Sequence, residues 1–374
     1  MALDAYFRRF TDRLAYLELK EKARHKLDLP AVPFPIRRSD FVEGLAEGQL
    51  SEEVDFRYFA RGMVWNLGID PHFLYAEAYR SLLNRLVSQP GAYAVQLAQE
   101  SLANGLDSDR LVDALIGFRA AIMLNPDDLY AQVHFADLLW RQEGLDSKTH
   151  QAFSKEASHI LEEALQKEED NPLTLTALAQ LNESIGAYSK ADAYYHRALA
   201  ACPDPAVEEE LRSALERIEP EVSLEEGIYR LRRADYEGAC QLLEDLNKRV
   251  ARFDVPYYLG LAYQNRTLYE EAAQAFELAL SRGGNFEDLY NALVYVLEAQ
   301  GDGAQALHYA SEGLKRHPSA LRLRHNRAIL FAQMGQKKEA LADLDFLLAY
   351  DDLSDEFFNH LMILKERIQA LPED

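Results

Sequence analysis

Three alanines, Ala272, Ala306 and Ala340, stand 34 residues apart, and no other feature limits the fold of this chain so strongly. Leu280, Leu314 and Leu348 keep the same period, as do Gly301 and Gly335. A period of 34 residues holds two helices of about 13 residues each and two turns. Around these markers apolar residues recur at i, i+3, i+4 and i+7, so each helix carries one apolar stripe. Neither helix of a pair can bury its stripe alone. Each pair must lean on the next, and the core becomes a continuous ribbon.

The fullest copy spans 253–286 and contains YYLGLAYQNRTLYEEAAQAFELAL. Its first helix has Leu259, Gly260 and Tyr263, and its second has Ala272, Phe276 and Ala279. In these positions the chain resembles the tetratricopeptide-repeat (TPR) family; that family's Trp and Pro positions hold Pro256 and Gly284. The small residues let paired helices approach closely, and the large ones fill the space on either side. Weaker copies keep the register. Residues 172–205 have Leu178, Ala191, Tyr195, Ala198 and Pro203, and residues 220–252 have Gly227, Tyr236 and Ala239. Residues 287–320 keep Tyr290, Leu293, Ala306 and Pro318, and residues 321–354 keep Phe331, Gly335 and Ala340. Upstream, SDRLVDALIGFRAAIMLNPDD reads as a second helix with its closing proline. In the following pair, Ala157, Leu161 and Ala164 arrive late, which predicts an inserted loop at GLDSKTH.

The resemblance implies an all-α fold: a right-handed superhelical solenoid of TPR-like helix–turn–helix repeats with an N-terminal helical cap and a C-terminal capping helix. Five segments are expected: an aromatic-rich cap at 1–90, a first subarray at 91–205, an extra connecting helix at 206–220, a second subarray at 221–354 and a capping helix at 355–374. The extra helix lengthens the Ala191–Ala239 interval to 48 residues and predicts a subdomain boundary. Within the cap, Leu3, Phe7, Phe10, Leu14 and Leu17 read as one amphipathic helix. PAVPFPIRR cannot continue it, because proline lacks a donor and restricts the residue before it. Residues 51–86 suggest a degenerate helix pair, with Gly62 and Trp65 in the places of Gly and Tyr and Asp70-Pro71 as a helix start.

A net charge of −22 disfavours a nucleic-acid or anionic-membrane binder, since both need a basic face. The start lacks a signal-peptide core, and no run of 18 apolar residues exists to span a bilayer. Two cysteines, Cys202 and Cys240, make no disulfide framework, are expected to be unpaired, and suit the cytoplasm. No catalytic, nucleotide or metal motif appears, and the ten histidines fall in no strong ligand spacing; neither cofactor nor metal is expected.

Attention therefore moves to the inner surface. The TPR resemblance implies that particular positions of each first helix line a concave groove. They carry onto Asp254, Tyr257, Leu261, Gln264 and Asn265, then Asp288, Asn291, Tyr295 and Glu298, then Arg322, His325 and Gln333. Of these, Tyr257, Gln264, Asn265, Asn291, Tyr295, Arg322 and His325 are the candidate partner-binding residues, since amides bond a peptide backbone and rings cover its apolar side chains. TPR clamps for a chaperone's C-terminal carboxylate place Lys and Asn on one helix, Asn on the next, and Lys and Arg on the third, where this chain has Tyr257, Leu261, Ala292, Arg322 and Asn326; only Arg322 fits. From Gly313 to Gln336 there is no acid, yet Lys315, Arg316, Arg322, Arg324 and Arg327 occur, with Arg327 expected to pair with Asp343 or Asp345. Arg322 and His325 then suggest a site for an acidic segment. The expected function is a non-enzymatic scaffold for a protein or extended peptide. Two alternatives stand: a peptide-responsive regulator, and an enzyme subunit using the Arg/His cluster on an anionic substrate. The aromatic cap around Phe56, Tyr58 and Trp65 is the fallback surface.

Overall fold

The computed structural model describes residues 2–46, 56–103 and 107–370, which form two compact units, 1–216 and 217–374. In the first unit, the helix pairs are α6 (Pro90–Ala103) with α7 (Ser108–Leu124), α8 (Leu129–Trp140) with α9 (Ser147–Lys167), and α10 (Pro172–Ser184) with α11 (Tyr188–Ala201). The second holds α13 (Tyr236–Arg249), α14 (Asp254–Asn265) with α15 (Tyr269–Ser281), α16 (Glu287–Ala299) with α17 (Gly303–Arg316), and α18 (Leu321–Gln333) with α19 (Lys337–Leu348). α20 (Asp355–Gln369) covers the apolar face of α19 with Leu361 and Ile368; residues 371–374 of the expected capping helix lie outside the described residues.

α12 (Pro205–Arg232) crosses from one unit to the other. The expected extra helix at 206–220 does not end at Pro220 but runs on as the first helix of the next pair. Pro220 has no N–H to give the Glu216 carbonyl, which coincides with the boundary between the units. In the turns, Gly301 and Gly335 take positive φ values of 83° and 76°, a region open to glycine at no steric cost.

The single amphipathic helix expected over 3–27 is not formed. α1 (Ala2–Arg8) stops early, and Leu14–Leu17 becomes strand β1, paired antiparallel with β2 (Phe34–Arg37). α2 (Glu21–Leu27) lies between the two strands in sequence, and α3 (Arg38–Ala46) follows β2. The prolines hold 33–37 extended, its backbone groups need partners, and the Leu14–Leu17 segment supplies them. Phe34 and Ile36 are then fully buried beneath α4 (Phe56–Ile69). A Cβ on Gly62 would collide with the Pro35 carbonyl oxygen, so this glycine serves the approach of α4 to β2. α4 packs on β2 and α7 far more than on α5 (Ala76–Leu86), so the two are not a repeat-like hairpin. Residues 51–55 of that expected pair lie outside the described residues. Asp70 caps a turn, accepting from His72 N at 3.2 Å, and α5 begins only at Ala76.

The segment 144–150 is also not all loop. Asp146 caps α9 by accepting from the backbone N–H of Lys148 and Thr149, and the helix runs 21 residues. The added turns bury Phe153 edge-on against Tyr6 of α1, with centroids 5.1 Å apart. Arg119 of α7, itself buried, completes the anchoring. It donates to the Gly68 and Ile69 carbonyls at 3.0 and 3.2 Å, pairs with Asp4 and lies over the Phe7 ring.

Candidate functional site: the inner face of the second unit

The helix contacts explain why small residues recur. Ala272, Ala306 and Ala340 are all fully buried, and a Cβ on Gly260 would lie 2.5 Å from the Phe276 ring. First helices touch one another in succession, α14 on α16 and α16 on α18, more closely than second helices do, so α14, α16 and α18 share one continuous face, the one that the repeat register expects to be the inner face. The chain is an all-α solenoid of TPR-like helix pairs. No protein-family model and no curated protein matches it. Among solved structures, a TPR protein from Parabacteroides merdae is similar at 16% identity and TM-score 0.33, over 74% of this chain and 98% of that one. The type IV pilus biogenesis factor PilW is similar at 14% identity and TM-score 0.39, over 63% and 98%. Yeast Tom70 is similar at 12% identity and TM-score 0.37, over 83% and 64%.

The inner face of this TPR-like unit divides into two parts. Between α16, α18 and α20, polar side chains tie successive first helices together. Asn326 Nδ2 donates to Asn291 Oδ1 at 3.2 Å, Gln333 Nε2 donates to Glu298 Oε1 at 3.0 Å, and Arg322 lies 3.6 Å from Asp288. His325 Nε2 is 3.2 Å from His360 Nε2 on α20. These partners stand 34 or 35 residues apart, one repeat length, which places them at equivalent points of neighbouring helices. Asn291 is consequently not a groove amide. It is 7% exposed, and its Nδ2 donates to its own helix at Glu287 O.

Between α14 and α16 the surface is more apolar. Tyr257 is half-buried with its ring 4.9 Å from Phe286, and burial pushes its hydroxyl pKa up, with Asp288 adding to the effect. Leu261 is half-buried beside it. Tyr295 is 50% exposed, its ring edge-on to Tyr269 at 6.4 Å. Gln264 is half-buried with a shielded Oε1 that accepts no hydrogen bond, and Asn265 is exposed but donates back to Leu261 O at 2.8 Å. Of the seven candidates, Tyr257 and Tyr295 offer contact area, and Arg322 offers charge at one edge.

The arginines of α18 in the acid-free stretch are neutralised from flanking helices. Arg324 and Arg327 both reach Asp343 of α19, which is buried, and Arg324 stacks on Phe346 at 3.7 Å. Arg327 thus pairs with Asp343, while Asp345 takes Lys365 at 2.6 Å. Arg316 pairs with Glu312, and Arg322 has Asp288. An anion cradle built from Arg322 and His325 does not form, because each turns to a different neighbour. Burial lowers the pKa of His325, with Asn326 opposing that shift and His360 adding to it. The fallback cap surface also changes character: Trp65 is buried with Arg37 stacked 4.0 Å above its ring, and Phe56 packs on Phe34 and Phe59.

The first unit has an aromatic cluster of its own that was not among the sequence candidates. On α8, the half-exposed Tyr130 accepts from Gln99 Nε2 of α6, and His134 lies between Tyr130 and Phe118, with centroids 4.1 and 5.4 Å away. The signal available was the aromatic spacing Tyr130–His134 on a first helix. Cys202 and Cys240 are both unpaired. Among the described residues, no helix is long and apolar enough to cross a membrane, and no group of three or more His, Cys, Asp or Glu is placed to hold a metal ion.

Proposed function

We propose that the chain is a non-enzymatic scaffold that holds a partner protein or an extended peptide on the inner face of α14 and α16. The half-exposed Tyr295 carries this reading: the repeat register sets it on the same side of successive first helices as the half-buried Tyr257 and Leu261, and together they would form an apolar strip along a groove. Exposed tyrosine gives large contact area at low entropic cost, which is why it is enriched at binding hot spots. Arg322, 71% exposed, sits at the edge of the strip, where an acidic residue of the partner would compete with Asp288 for it. A reducing compartment such as the cytoplasm suits the two unpaired thiols.

The test is capture of a partner from native lysate, followed by titration of that partner against Tyr295→Ala and Arg322→Glu at low and high salt. Tyr295→Ala is expected to weaken binding about tenfold or more at every salt concentration, because contact area is lost. Arg322→Glu is expected to weaken it mainly at low salt. Unchanged affinity for both, with circular dichroism showing an intact fold, would place the binding surface elsewhere.

A further inference from the structure

The contact between His325 and His360 differs in kind from the other ties along the inner face. Asn326–Asn291 and Gln333–Glu298 each join a donor to an acceptor. Here the tie is between two imidazole nitrogens 3.2 Å apart, one from α18 and one from the capping helix α20, a hydrogen-bond distance between groups that are also metal-ligating nitrogens. The rings are held in place: Phe357 meets His325 edge-on at 5.6 Å and lies nearly parallel to His360 at 6.5 Å. The spacing of 35 residues that brings the two histidines together is the same one that joins the Asn and Gln–Glu pairs, so the repeat register builds the contact.

We propose that His325 and His360 form a two-imidazole site for a borderline divalent transition ion, Zn²⁺ or Ni²⁺, which clamps the capping helix onto α18. With Zn–N bonds of about 2.0–2.1 Å, nitrogens 3.2 Å apart subtend about 100° at the ion, between octahedral and tetrahedral values. Imidazole pairs suit Zn²⁺, Ni²⁺ and Cu²⁺, whereas Mg²⁺ and Ca²⁺ demand oxygen ligands. Phe357, packed against both rings, holds the two imidazoles in this arrangement. Among the described residues no third His, Cys, Asp or Glu completes a set, so the site is open, and its remaining positions fall to water or to a side chain of a bound partner.

The experiment is isothermal titration of the full-length protein, carrying no histidine tag and dialysed against chelator and then buffer, with ZnCl₂, NiCl₂ and, as control, MgCl₂. One saturable site is expected for Zn²⁺ and for Ni²⁺, and none for Mg²⁺. His360→Gln should weaken both at least tenfold and abolish the rise in melting temperature that Zn²⁺ produces. His360 is exposed, so the variant is expected to keep its fold, which circular dichroism checks. His308→Gln, on the exposed side of α17, should bind as the parent does. The site is refuted if the parent shows no saturable Zn²⁺ or Ni²⁺ binding, or if His360→Gln and His325→Gln both retain the parent's affinity; the contact is then a hydrogen bond between imidazoles.

Discussion

Gly260 decides how closely α14 approaches α15, because the Phe276 ring fills the volume that any Cβ would need. Gly260→Ala should therefore cost about 1–3 kcal/mol through overpacking despite the better helix propensity of alanine, measurable as a lower urea midpoint at unchanged slope. His134 shows a second residue-scale effect. Burial against Phe118 and Tyr130 lowers its pKa below the ordinary 6.5, with Asp137 partly opposing. The unfolded chain then binds the proton more readily than the folded one, so stability rises with pH and is lost as pH falls through about 6.5. His325 contributes in the same direction. Urea midpoints taken from pH 7.5 to 5 should fall, and His134→Phe, which keeps the stacking but cannot titrate, should shrink that fall. A flat profile in the parent would remove the argument.

Among the elements, the turns between paired helices show where the repeat is under strain. Gly301 and Gly335 occupy left-handed backbone, and the equivalent position one period earlier holds Thr267 at φ 59°. A β-branched residue is disfavoured there by about 1–2 kcal/mol. Thr267→Gly is expected to recover about 1 kcal/mol, read as a higher melting temperature, although glycine gives back some entropy in the unfolded state. The lengthened α9 makes a different prediction. Phe153 joins it to α1 through Tyr6, so Phe153→Ala should cost about 3–5 kcal/mol and expose the N-terminal segment to proteolysis before the helix pairs downstream. Cleavage that begins instead in the α10–α11 pair would mean that α9 does not anchor α1.

For the whole molecule, stacked helix pairs predict local rather than global consequences, because within a repeat array each pair contacts only its neighbours. Leu361 of α20 is fully buried against the α19 face that includes Ala340, Leu344 and Leu347. Leu361→Ala should cost about 2–5 kcal/mol. Hydrogen exchange should report the loss in α18–α20 while the amides of α6–α9 keep their protection. Uniform loss along the chain would mean that the two units unfold as one.

The 34-residue period by itself determined the helix pairs of 253–348, the burial of Ala272, Ala306 and Ala340, and the Gly260–Phe276 approach. All of these are contacts between residues within one repeat or the next, where periodicity and side-chain volume specify the packing. Tertiary structure alone decided what lies farther apart or depends on the facing helix. Leu14–Leu17 is amphipathic at helical spacing, yet it pairs as a strand because the proline-bound segment at 34–37 needs hydrogen-bond partners. GLDSKTH reads as loop, yet Ser147–His150 are helical, because the added turns bury Phe153 against the N-terminal cap. The arginines of α18 look unopposed along the chain, and they find Asp288 and Asp343 on flanking helices. Asn291 looks like a groove amide and is a buried tie, while His360, in no recognisable motif, meets His325 one repeat away. Charge and hydrogen-bond partners act across space at a few ångströms, and only the stacking of helices one period apart sets which groups share that distance.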